Sequence, residues 1–235
     1  MADKRLLAIV PARGGSKRLP RKNVLSLGGK PLIGWTIDAA LDSHCFVDVL
    51  VSTDDEEIAA VAGNHGALVP WLRPVELATD TARSIDVVLH ALDWYEHERG
   101  TVNGMMLLQP TSPLRSATTI RAAANHFFEL GADAPVVSVS PAEKHPAWTF
   151  SLEGARMQPF CGWESLKLRS QELPPAYTLN GAIYVCSPKR LRIDQSFFAK
   201  DMQALVMTNY EENLDIDTDE DWALAEWQVT RMTGK

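Results

Sequence analysis

Six short apolar runs, at 6–10, 47–52, 105–109, 136–140, 182–186 and 204–207, punctuate the chain. Most are apolar at consecutive rather than alternate positions, the pattern of strands covered on both faces of a parallel sheet. The segments between them carry helical spacing. Pro31 is tolerable in the first turn of a helix running to residue 41. Ile58, Ala59, Val61 and Ala62 give the stretch after Thr53-Asp54 an apolar side. Ser84 is placed to cap a helix bearing Ile85, Val88, Leu89, Leu92 and Trp94. Ser116 precedes a further helix at 120–130. Thr218 and Asp221 have capping-box spacing before a last helix at 222–232, with Asp in place of the usual Glu or Gln.

This alternation predicts a three-layer, doubly wound α/β fold with a mainly parallel, Rossmann-like sheet, in one domain over 1–235. The rhythm breaks at 141–177. There Pro141, Pro146, Pro159, Pro174 and Pro175 are interleaved with Trp148, Phe150, Phe160 and Trp163, a composition too apolar for a flexible linker. The stretch reads as a sub-domain that packs against something, and a second copy of the chain fits that role. In an open parallel sheet, ligands bind where the strands end. The segments leaving those ends are therefore where chemistry is expected: 11–23, 52–54, 109–115 and the stretch after Met207.

With 46% hydrophobic and 23% charged residues, the composition is that of an ordinary globular protein and excludes a disordered or collagen-like chain. The net charge of −7 argues against a general nucleic-acid or anionic-membrane binder. No apolar run approaches the length of a membrane span. Cys45, Cys161 and Cys186 are scattered and form no CxxC pair, so free thiols in a reducing cytoplasm are expected. The charge is uneven, however. Arg13, Lys17, Arg18, Arg21 and Lys22 share one acid-free stretch, and subtracting these five from −7 leaves −12 on the remainder. Such a cluster in an acidic protein implies a locally held anion.

Three motifs carry candidate chemistry. PARGGSKRLPRKN (11–23) follows the first strand directly, and Gly14-Gly15 permits a turn whose amides converge on an anion. It is neither a Walker A nor a GxGxxG loop. LLQPTSPLR (107–115) presents the Gln109 amide and the Thr111 and Ser112 hydroxyls, which suit sugar hydroxyls or a base edge. The same segment reads equally as a Pro-rich strand-to-helix turn. In NLDIDTDEDW (213–222), Asp215 and Asp217 lie two apart and on an extended chain face one side, where they can hold a hard cation. Asp219, Glu220 and Asp221 instead suit a helix N-terminus. The six histidines show no zinc-enzyme spacing, and no GxSxG occurs. Phe197-Phe198 reads either as core or as the apolar wall of a pocket.

In this order on an α/β frame, the three motifs resemble the cytidylyltransferases that activate nine-carbon 2-keto sugar acids, above all the CMP-N-acylneuraminate (CMP-sialic acid) synthetase family. VSTDDEEIA (51–59), LRPVELATD (72–80) and NGAIY (180–184) extend the resemblance over nearly the whole chain. The resemblance implies a nucleotidyltransferase fold and a homodimer that uses CTP and Mg²⁺ to join CMP to the anomeric hydroxyl of the sugar acid. It implies that Arg13, Ser16, Lys22 and Asn23 hold the triphosphate and ribose, with Arg73, Asp80 and Ser84 around the nucleotide and Asn180 on its sugar side. Gln109, Tyr184, Phe197 and Phe198 would line the sugar pocket. Asp215 and Asp217 would carry metal, with Arg13 and Lys22 supplying catalytic positive charge. The 141–177 stretch corresponds to the family's dimerisation segment.

The chain departs from the family at Trp148, Ser170 and Thr178, where members carry basic residues facing the acidic end of the sugar. Arg169 or Lys144 is the candidate to take over the carboxylate. Legionaminic acid, pseudaminic acid and keto-deoxyoctonate (KDO) are the alternative acids. A nucleotide-binding module without turnover is the alternative of a different class.

Overall fold

The computed structural model describes residues 4–234. In chain order the elements are β1 (Leu6–Pro11), β2 (Ser26–Leu27), β3 (Lys30–Pro31), α1 (Leu32–Ser43), β4 (Asp48–Ser52), α2 (Glu56–Asn64), α3 (Ser84–Arg99) and β5 (Gly104–Leu108). They continue with α4 (Ala117–Glu129), β6 (Val136–Pro141), β7 (Phe150–Glu153), β8 (Arg156–Pro159), β9 (Tyr177–Cys186), α5 (Pro188–Asp194), β10 (Gln203–Val206) and α6 (Asp219–Thr233). Six strands form one sheet in the order β10-β6-β9-β5-β1-β4. β1 runs parallel to β4 and β5, and β10 to β6. β9 alone is antiparallel to its two neighbours. The mainly parallel sheet expected from the apolar runs is therefore present.

The lack of alternation in those runs has a direct cause. Leu6, Ala8 and Val10 enter a core closed by Ile33 and Ile37 of α1, Ile58 of α2 and Phe127 of α4. Leu7 and Ile9 enter a second core on the opposite face, with Val88 and Leu92 of α3 and Leu191 of α5. Both faces of the strand are covered, so both need apolar side chains, each contributing roughly 1.5–3 kcal/mol on burial. A third, smaller core holds α6 against the β2–β3 turn through Leu27, Leu32, Ile216, Ala225 and Val229.

Two caps behave as expected. The Ser116 hydroxyl accepts from the Thr119 amide at 3.1 Å, and Thr218 and Asp221 form a reciprocal capping box. Ser84 does not cap: it is the first residue of α3, and the preceding Arg83 makes no side-chain cap. β9 begins five residues before the apolar run that announced it. Its early half, Tyr177–Leu179, is exposed and need not be apolar, and it pairs with Val139, Ser140 and Pro141 across a register shift. The two-residue strands β2 and β3 are too short for periodicity to reveal. The short helix α5 carries too few apolar positions for periodicity to reveal, although Ser187 followed by Pro188 is a cap signature.

The stretch at 142–176 stands apart from the frame. It contains the β7–β8 hairpin, and none of the three cores draws a residue from it. Phe160 is 69% and Trp163 57% exposed, with Leu152, Met157 and Trp148 also open to solvent.

Candidate active site

β1, β4, β5, β6 and β10 all end at one edge of the sheet, and antiparallel β9 begins there. Two cavities open at that edge. The first, about 610 Å³, lies between the loop after β1, the 73–84 segment, the turn after β5 and Asp217. The second, about 960 Å³, lies between β6, the start of β9 and the 208–215 segment. Gln109, the residue that follows β5, lines both.

In the first cavity, Arg13, Lys17, Arg18 and Lys22 supply the positive wall. Arg21, the fifth cation of the cluster, turns away and pairs with Asp55 and Glu57. The loop is shaped by Asp54 and Asp55. Gly14 donates its amide to Asp54 Oδ1 at 3.0 Å, and a Cβ on Gly14 would stand 2.7 Å from Asp55 Oδ2. Glycine is required there for close approach. Of the loop amides expected to converge on an anion, those of Gly14 and Ser16 are already bonded within the protein. Side chains give this cavity its formal charge.

Each of these four lining cations meets a carboxylate. Arg13 donates to Asp80 at 2.7 Å, and Lys17 pairs with the same group. These bonds, Lys17 first and Arg13 second, hold the Asp80 carboxyl below the usual range. Lys22 is buried and donates to Asp217 Oδ1 at 2.9 Å and to the Ile216 carbonyl at 2.7 Å, while Arg18 reaches Asp217 Oδ2 at 3.4 Å. Asn23, also buried, donates to the Arg13 carbonyl at 3.0 Å and so braces the loop.

Arg73 is buried and donates to the Ser52 hydroxyl at 3.0 Å, the Ser52 carbonyl and the Leu77 carbonyl. Burial pushes its guanidinium down to about 10. Ser16 and Ser84 line the same cavity. The start of α3 therefore faces it, and its uncapped N-terminus is the end of a helix that favours anions.

Ile216 is buried in the third core and donates its amide to the Thr111 carbonyl at 2.8 Å. Asp215 and Asp217 flank it. Asp217 lines the first cavity and Asp215 the second, so the pair straddles the wall rather than lining a single pocket. Asp215 is open to its cavity yet walled by protein, and this confinement pushes its carboxyl above the usual range. The Asp217 and Asp221 charges add to the effect, and the Thr111 hydroxyl and Lys22 oppose it.

Other expected residues divide. Thr111 lines the first cavity and Tyr184 the second. Burial raises the Tyr184 hydroxyl, with the Asp215 charge adding to it. The Tyr184 ring packs on Phe197 at 5.4 Å and Phe198 at 6.0 Å between centroids. Phe197 belongs to the second core, however, and neither phenylalanine lines a cavity. Ser112 is 1% exposed and lines neither, because the turn folds its hydroxyl inward.

Asn180 is placed on the second cavity, not the first, and its amide is spent inside the protein. It donates to Asn213 Oδ1 at 2.9 Å and accepts from the Ser138 hydroxyl at 2.6 Å and the Ala182 amide at 3.2 Å. It ties β6 and β9 to the segment that carries Asp215. Arg169 is exposed on the 142–176 stretch and lines neither cavity, whereas Lys144 lines the second.

No histidine lines either cavity, and among the described residues no cluster of three or more His, Cys, Asp or Glu is arranged to hold a metal. No described helix is long and apolar enough to cross a membrane.

The cytidylyltransferase family pattern matches residues 7–167, more than half of the chain. The chain belongs to the cytidylyltransferase family. The CMP-N,N'-diacetyllegionaminic acid synthase of Legionella pneumophila is 43% identical over 224 residues, covering 94% of this chain and 95% of that protein. A Streptococcus agalactiae N-acylneuraminate cytidylyltransferase is 40% identical over 92% of this cytidylyltransferase but only 51% of its own length. The pseudaminic acid cytidylyltransferase of Campylobacter jejuni is 33% identical over 93% of this chain and 94% of its own. A solved CMP:2-keto-3-deoxy-manno-octonic acid synthetase complexed with CTP superposes with a TM-score of 0.69 at 16% identity, covering 98% of this chain and 99% of that one, which shows a shared fold.

Proposed function

We propose that this cytidylyltransferase transfers CMP from CTP to the anomeric hydroxyl of a nine-carbon 2-keto sugar acid and releases pyrophosphate. One observation carries the reading: a cationic cavity and a second polar cavity meet across a single residue, Gln109, in a chain of this family. CTP brings about four negative charges, and transfer of this kind depends on positioning and on neutralising them. Arg13, Lys17, Arg18 and Lys22 would receive the triphosphate. Asn23 would hold the loop under it, and Ser16, Arg73, Thr111 and Ser84 would border it. The acid would lie in the second cavity against Gln109, Tyr184 and Asp215, with its carboxylate toward Lys144. Its hydroxyl oxygen attacks the α-phosphorus and gives its proton to water, the bond from that phosphorus to the bridging oxygen of the β-phosphate breaks, and the charge leaves on pyrophosphate.

Asp215 and Asp217 fit Mg²⁺ in their donor chemistry, since that ion is usually held by one or two carboxylates together with substrate phosphates. Confinement already disfavours the bare Asp215 charge, which a cation would relieve. Asp215 and Asp217 would hold the ion, which would supply positive charge to offset that of the phosphates.

The 43% identity to a legionaminic acid enzyme along its full length makes di-N-acetylated legionaminic acid the first acceptor to try, with neuraminic and pseudaminic acids next. A homodimer is part of the proposal. The exposed aromatic face at 142–176 would be covered by a second copy, and Arg169 on it would face that copy's acid cavity. The free thiols fit a reducing cytoplasm.

The test is pyrophosphate release from CTP and Mg²⁺ against a panel of legionaminic, neuraminic and pseudaminic acids and KDO. Release with none of them overturns the proposal and leaves a nucleotide-binding module. In Asp217→Asn, CTP binding should persist while turnover is lost. Wild-type turnover in that variant overturns the metal role.

A further inference from the structure

Arg115 ends the LLQPTSPLR motif, and neither cavity is lined by it. It is 1% exposed. Its Nη1 donates to the Ala182 carbonyl at 2.7 Å and the Gln109 carbonyl at 3.4 Å, and its Nη2 to the Thr36 hydroxyl at 3.2 Å. Its buried Nε has no partner. The acid that influences it, Glu212, accepts instead from the Thr119 hydroxyl, and Arg115 forms no ion pair among the described residues. Burial pushes the guanidinium down to about 9. A buried cation among neutral acceptors is costly, and an apolar side chain of similar volume would fill the space without that cost. Framework duty alone does not call for arginine here.

The acceptors reveal another duty. Thr36 belongs to α1, Gln109 to the turn after β5, and Ala182 to β9 within its irregular stretch. Gly181, with a left-handed φ of 75°, brings β9 close to the Gln109 side chain: a Cβ there would lie 3.5 Å from Gln109 Oε1. The fork of Arg115 thus grips the wall shared by both cavities from behind.

We propose that Arg115 is a positioning residue of the active site. Its guanidinium locks the turn that starts at Gln109 against β9 and α1, and its unneutralised charge draws anionic ligands to that wall. This rests on the function proposed above, in which CTP and the sugar acid are both anions.

Arg115→Met and Arg115→Lys are to be compared with wild type in melting temperature, CTP affinity by calorimetry, and steady-state pyrophosphate release. Arg115→Met should melt at or above the wild-type temperature, bind CTP about tenfold more weakly and lose about 100-fold in kcat. Arg115→Lys restores charge without the planar fork. Its CTP affinity should return to within about threefold of wild type while kcat stays about tenfold down. Near-wild-type kcat in Arg115→Met, or full recovery of kcat in Arg115→Lys, overturns the proposal. So does a steep fall of melting temperature in both variants, which marks an ordinary framework arginine. A wild-type protein that binds CTP but turns over no acid defeats the functional reading alone, and the CTP affinities and melting temperatures still decide the role of Arg115. Failure of the wild type to bind CTP defeats both.

Discussion

The two cavities share Gln109 and little else. The first gathers Arg13, Lys17, Arg18 and Lys22, each paired with Asp80 or Asp217, together with Arg73, so five cations face two carboxylates and the cavity stays net cationic. The second carries Lys144 against Glu143, Asp215 and Asp221, an acidic balance for a cavity assigned to an acid. The contrast teaches which half a single chain completes. The nucleotide half holds its own countercharges. The acid half has Lys144 alone against three carboxylates within one chain, a shortage of positive charge that the proposed metal and second copy would fill.

Four substitutions would break or sharpen that contrast. The largest effect is expected for Lys22→Ala, which removes a buried cation from the nucleotide half. Its kcat/KM for CTP should fall about 10²–10³-fold in a pyrophosphate-release assay, the scale of losing a preorganised charge donor. Next, Lys144→Ala should raise the KM for the acid about tenfold and leave the KM for CTP in place, as loss of one charge-assisted bond implies. An equal rise in both would erase the division between the halves.

Asp80→Asn should act in the opposite direction. Freed of their internal carboxylate, Arg13 and Lys17 should bind CTP about two- to threefold more tightly at low salt, and the gain should fade in 0.5 M salt, roughly where screening is nearly complete. A weaker affinity would make Asp80 a nucleotide ligand instead.

The smallest effect concerns pH. The Asp215 carboxyl is raised in the folded protein, so the native state holds this proton more tightly than the unfolded chain does. Its ionisation therefore weakens the fold as pH rises through the raised value, and the penalty is fully present at neutral pH. Asp215→Asn should melt at or above the wild-type temperature at pH 7, with the advantage shrinking toward pH 4, about the unperturbed aspartate value. A lower melting temperature at pH 7 contradicts this sign.

Much of this was legible in the chain before any fold was known. Runs such as 6–10 announced a doubly covered sheet because a strand packed on both faces has no polar side to show. The basic loop announced an anion site because five unopposed cations are unusual in a chain of net charge −7. Other features depended on neighbours far along the chain. That Arg21 leaves the cluster follows from Asp55 and Glu57, more than thirty residues away. Asn180 proved to be a brace because Ser138 and Asn213 consume its amide. Ser84 had the residue type of a cap, but Arg83 holds the capping position. Arg115 was visible as the last letter of a motif, and only its acceptors reveal its burial.

The sequence by itself determined the fold class, the edge of the sheet where chemistry gathers and the residue types of the nucleotide half. Those follow from local periodicity and from charges that lie side by side along the chain. The tertiary structure alone decided the partition of Asp215 and Asp217 between two cavities, the retreat of Phe197 and Ser112 into the interior and the grip of Arg115 on the shared wall. Each of these is a contact between segments tens of residues apart, and such contacts are set by packing rather than by spacing.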